Sequence, residues 1–112
     1  MASTLTMTPG TGRAALANEE TIKAYARCLA AAIQLKTLAR MKGVEGTEIY
    51  SNMVDKLSNR YFGQAETPDE FNYLSRIAND FVEAYRFLGH IETMRKADAF
   101  VQSRDCLALA FR

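Results

Sequence analysis

The run Thr67–Leu88, TPDEFNYLSRIANDFVEAYRFL, opens with the chemistry of a helix start. Thr67 can accept from the Glu70 amide while the Glu70 carboxylate reaches back to the Thr67 amide, a capping box that satisfies two orphan donors of the first turn. Pro68 falls at the first helical position, where its missing N–H costs nothing. Downstream, Phe71, Leu74, Ile77, Ala78, Phe81, Tyr85 and Leu88 recur at steps of three and four. That spacing predicts a helix with one continuous apolar stripe.

The same logic extends upstream. Tyr50, Met53, Val54, Leu57 and Tyr61 form the inward row of a helix that Thr47 can cap and Gly63 can end. Before it, Gly43-Val44-Glu45-Gly46 is a short link, so the two helices it joins should run antiparallel. The first helix starts at Asn18-Glu19-Glu20 and runs to about Lys42. It carries two adjacent apolar rows: Ile22, Tyr25, Ala26, Leu29 and Ile33, then Ala24, Cys28, Ala31, Leu35 and Leu38. Only a strip through Lys23, Arg27, Gln34 and Thr37 reads as wet. A helix with so much apolar circumference is covered from more than one side. It is either the middle helix of the domain or one shared between subunits. The small residues in CLAAAI (28–33) would let another backbone come close. Residues 1–17, broken by Pro9-Gly10 and Gly12, read as a flexible N-terminal arm, with ordering against a neighbouring subunit as the alternative.

Beyond Leu88, Gly89 is the decisive residue. As a helix terminator it separates the third helix from a fourth over 91–111, with Ile91, Met94, Ala97, Phe100, Val101, Leu107 and Phe111 facing in. A single helix over 68–111 would be roughly 65 Å long and would need a second chain to lie on. The stripe of the third helix would also pass through Glu92 and Arg95, so its phase is lost. The expected architecture is therefore all-α: a four-helix up-down bundle over 18–112, preceded by the arm. The final turn, Cys106–Phe111, is apolar all round, because Leu107 and Leu109 point nearly opposite ways on a helix. It either tucks beneath the arm or forms an interface.

Composition narrows the function. A chain of 112 residues, 48% hydrophobic, suits one domain with a real core. A formal charge of +1 gives no whole-molecule field for DNA or an anionic membrane. The charge is uneven: residues 1–43 hold six basic and two acidic side chains, residues 44–112 eight and eleven. Helix-end placement accounts for much of this. Cys28 and Cys106 lie in apolar helical surroundings and are expected as buried free thiols, with a disulfide joining the first and last helices as the alternative. No apolar run marks a leader in the first twenty residues or reaches the ~18 residues of a membrane span. A cytoplasmic protein with no membrane role is expected.

One histidine, His90, cannot build a His-rich metal site, and the cysteines lack metal-binding spacing. There is no phosphate-cradling glycine loop, calcium loop or nucleophile elbow. Phosphotransfer at His90 is disfavoured because Glu92 would repel an incoming phosphoryl group. No catalytic residue, cofactor or metal is expected. What remains is recognition and assembly with a protein partner or further copies of the chain, using Ile33, Leu35, Leu38, Leu107, Leu109 and Phe111. The alternative is a helical nucleic-acid-binding subunit of a nucleoprotein complex, with Lys36, Arg40, Lys42, Lys56 and Arg60 on phosphates and Tyr61 stacked on a base.

Overall fold

The computed structural model describes residues 16, 18–43, 48–103 and 105–112. The arm expected over 1–17 (Leu16 apart) and the Thr47 cap lie outside the described residues. The described chain is all-helical, with no strand among its residues: α1 (Glu19–Met41), α2 (Glu48–Phe62), α3 (Pro68–Glu83), α4 (His90–Ser103) and α5 (Cys106–Phe111).

Helix α1 begins where its cap is written. The Asn18 side chain accepts from the Thr21 amide at 2.9 Å, and Glu19 and Glu20 complement the helix dipole in the first turn. Gly43, at φ 66°, takes the left-handed conformation that terminates it. Ten of its residues are buried, among them Ile22, Leu29, Leu35 and Leu38. They are buried because α2, α3, α4 and α5 all pack on α1. The choice between a middle helix and one shared by subunits is thus answered by the chain's own packing.

Helix α2 presents Met53, Leu57 and Tyr61 to the core and leaves Tyr50 and Val54 half-buried against it. It ends at Gly63, whose amide donates to the Asn59 carbonyl at 2.9 Å. A Cβ at Gly63 would run into that same oxygen, so the turn requires glycine. In α3 the Thr67 hydroxyl accepts from the Glu70 amide at 3.1 Å. The reciprocal half of the box is displaced by one residue. The Glu70 carboxylate accepts from the Glu66 amide at 2.8 Å, which pins the chain one step before the cap. Leu74 and Ala78 are buried, while Ile77, Phe81 and Tyr85 pack at the core margin. Phe71 sits outside, its ring 5.1 Å from that of Phe62.

Two boundaries differ from expectation. Helix α3 stops at Glu83, not Leu88, and residues 84–88 unwind through successive tight turns, with Ala84, Tyr85, Arg86 and Leu88 each bonded to the carbonyl three residues back. Gly89 is not left-handed. Instead its carbonyl accepts the Thr93 amide at 2.8 Å and opens α4. The second difference is that the helix expected over 91–111 is two helices. Asp105, at φ 54° and ψ 42°, interrupts it in the left-handed region, a conformation tolerated by Asp better than by most residues. The interruption resets the phase. Cys106 and Ala110 turn into the core, and Leu107 and Phe111, one turn apart on the opposite side, are left 44% and 43% exposed.

Cys28 and Cys106 form a disulfide, against the expectation of free thiols. The phase reset at Asp105 explains the pairing, since it directs Cys106 at α1. Both residues are buried, so the bond stitches the middle of the longest helix to the start of the shortest.

Candidate interaction surfaces

The residues expected at a protein interface fall into two groups. Leu35 and Leu38 are buried in the core, and Ile33 is packed half-buried against it. Within the single chain they are core or core-margin residues, because the other helices surround α1. Leu107 and Phe111 remain outside. Leu109 lies between these groups, half-buried, with its carbonyl accepting from Arg60 Nη1 at 2.6 Å. That bond sets a cation at the carboxyl end of α5, where the helix dipole favours it.

The nucleic-acid residues are likewise divided. Tyr61 is fully buried and its hydroxyl donates to the Leu74 carbonyl at 2.6 Å. Burial, and then the nearby Tyr73, push its pKa up to about 12. A ring enclosed in this way has no face to stack on a base, which corrects its proposed role. Arg60 is committed to α5, and α5 is bonded to Cys28 in the first half of α1. Lys36, Arg40 and Lys42 cluster instead at the other end of α1. Arg60 stands roughly 18 Å along α2 from Glu48, so these cations do not form one row. Arg40, Lys42 and Lys56 are exposed, and Lys36 is partly covered.

Among the described residues, two side chains that the sequence pattern did not single out as surface features are the most exposed large apolar ones. Phe87 is 91% exposed and Ile91 76%. Phe87 lies in the unwound link after α3, with the Arg86 guanidinium 5.5 Å from the centroid of its ring. Ile91 was expected inside. It points out because α4 begins at His90, and burial within α4 falls on Thr93, Ala97 and Val101. The signal was present: Phe87 is off the three-four stripe that joins Phe81, Tyr85 and Leu88.

Ile91 also forms one lip of a cavity of about 480 Å³ between α1, α2 and α4. Leu35 and Ala39 form its floor, Tyr50 and Met94 its apolar walls, and Lys42, Arg95 and Asp98 its charged rim. The cavity is thus apolar inside and polar at its edge.

No protein-family model, curated protein or solved structure matches this chain. Among the described residues, no group of three or more His, Cys, Asp or Glu side chains is placed to hold a metal ion, and no helix is long and apolar enough to cross a membrane.

Proposed function

We propose that this chain is a small non-enzymatic assembly protein, whose helices act as an up-down bundle that presents apolar side chains to a protein partner or to a second copy. The observation that carries the reading is Ile91, largely exposed at the lip of an apolar cavity, with Phe87 bare four residues earlier. Large apolar side chains gathered around a groove mark interaction sites, whereas scattered ones do not. Leu107 and Phe111 extend the available apolar surface at the carboxyl end. The interface is therefore placed on the start of α4 and on α5, and no longer on Leu35 and Leu38.

Location enters the same reading. A cytoplasmic home fits Cys28 and Cys106 held reduced, and a bonded pair fits an oxidising compartment. Trapping thiols in cells before lysis and weighing the intact chain decides between them, the bonded form being two mass units lighter, as loss of two hydrogens requires.

Sizing with light scattering tests the assembly. Wild type is expected as a dimer or larger, alone or with its native neighbours, and Ile91→Glu as a monomer with an unchanged melting temperature. A wild type that is monomeric in both settings removes the reading. Tight, steeply salt-dependent binding to an oligonucleotide, abolished by Arg40→Glu/Lys56→Glu, would favour the nucleic-acid alternative.

A further inference from the structure

Both cysteines of the chain lie in one bond, which joins α1 to the first residue of α5. The two helices are held very differently. Helix α1 keeps α2, α3 and α4 packed on it whatever α5 does. Helix α5 has six residues, of which two small ones, Cys106 and Ala110, are buried. So short a segment does not hold a helix by itself in water. Asp105 precedes it in the left-handed region and supplies no side-chain capping bond. Its Leu109 carbonyl accepts from Arg60 Nη1 at an exposed position, where water competes for the guanidinium.

Neither cysteine is open to solvent, Cys28 being 1% exposed and Cys106 0%. A cavity of about 330 Å³ nevertheless lies beside Cys28. Ala24 and Arg27 of α1 and Phe100 of α4 line it, and Ala108 and Leu109 of α5 contribute to its wall. Fraying of α5 from its carboxyl end takes that wall away while Cys106 is still tethered, and a small thiol then has a route to the bond.

We propose that Cys28–Cys106 is a reversible redox latch: small-molecule thiols reduce it and free α5 from a core of α1 to α4 that stays folded. A thiolate attacks the sulfur of Cys28, which lines the cavity as Cys106 does not. A mixed disulfide forms there, the Cys28–Cys106 bond breaks, and its electron pair leaves on the Cys106 sulfur, which takes up the proton shed by the attacking thiol. A second thiolate attacks the outer sulfur of the mixed disulfide. Cys28 leaves and takes the second proton, so two thiols are oxidised to one small disulfide and two protein thiols are formed. The same exchange run backwards by the small disulfide docks α5 again. Release uncovers the cavity walls formed by Ala24, Cys28 and Phe100. The latch does not rest on the assembly reading, since a monomer would carry it equally.

The test equilibrates the full native chain in glutathione mixtures of stepped ratio, traps its thiols by alkylation and follows amide exchange by NMR. The Leu109 and Arg112 amides, bonded to the Asp105 and Ala108 carbonyls, report on α5. Full reduction is expected to speed their exchange about tenfold or more with α1 to α4 unchanged, and oxidised glutathione should restore the slow rate. Cys28→Ala/Cys106→Ala should match the reduced chain in every mixture. Arg60→Ala, checked for an unchanged melting temperature, loosens α5 and should speed reduction of the bond severalfold. Unchanged α5 exchange in the fully reduced chain, loss of protection in all five helices together, or reduction that proceeds only in denaturant overturns the proposal. So does an Arg60→Ala chain reduced at the wild-type rate.

Discussion

Helix α1 and the last third of the chain are both rich in apolar residues, but they reach opposite ends. In α1, apolar residues on nearly every side are covered because four other helices surround it. In α4 and α5, Ile91, Leu107 and Phe111 stay outside. The amount of apolar surface does not explain the difference. Position does: α1 lies in the middle, whereas α5 has six residues and one buried edge. Apolar circumference counts as an interface only where the chain has run out of its own helices to cover it.

The sharpest way to break this contrast is a matched pair of leucines. Leu35→Ala empties a site sealed by α1's neighbours and should cost about 2–5 kcal/mol. Leu107→Ala should change monomer stability by less than about 0.5 kcal/mol. Urea titration of both variants, measured where the protein is monomeric, checks the pair. Equal losses would mean that the two regions are equivalent after all.

The disulfide tests how far α5 depends on α1. It closes a loop between residues 78 apart in sequence, so it removes freedom chiefly from the unfolded chain. Cys28→Ala/Cys106→Ala should lower stability by about 2–4 kcal/mol. Amide exchange in α5 should rise before that in α1. An unchanged urea midpoint would show that packing of Cys106 and Ala110 alone anchors the terminus.

A smaller effect sharpens the comparison inside the core. The phenol of Tyr61 has its pKa raised to about 12, and burial raises that of Tyr85 too. A raised phenol pKa means that the folded state holds its proton longer than the unfolded chain, whose tyrosines ionise near the ordinary value of 10. The contribution is intact below pH 10 and is lost as pH climbs from 10 towards 12, by up to about 2–3 kcal/mol for Tyr61. Tyr61→Phe should flatten that decline while costing about 1 kcal/mol at neutral pH through the lost bond to Leu74. Chemical denaturation between pH 9 and 12 provides the measurement.

Features written in neighbouring residues were legible. Asn18 caps α1, Thr67 caps α3, and the Met53–Leu57–Tyr61 row faces the core, because each depends on a few adjacent groups and a fixed helical period. The fate of residues 91–111 was not legible. The left-handed residue Asp105 stands where the direction changes, and no local rule marks that aspartate as the turning point. The misassigned burial of Leu107 and Phe111 follows from it, as does the pairing of Cys28 with Cys106, which was only the alternative to free thiols. Tyr61 failed as a stacking residue for the opposite reason. Its place in the apolar row was visible, and that row, not the neighbouring cations, determined where the ring went.

The central position of α1 has a consequence for how the molecule comes apart. Since, among the described residues, the backbones of α3 and α4 come close to α1 but not to each other, neither backbone blocks the other's exit. Opening of α3 need not drag α4 with it, and the reverse holds as well. Loss of α1 removes the common support of every other helix. Opening of the outer helices should therefore be piecemeal, while α1 exchanges its amides only when the whole chain melts.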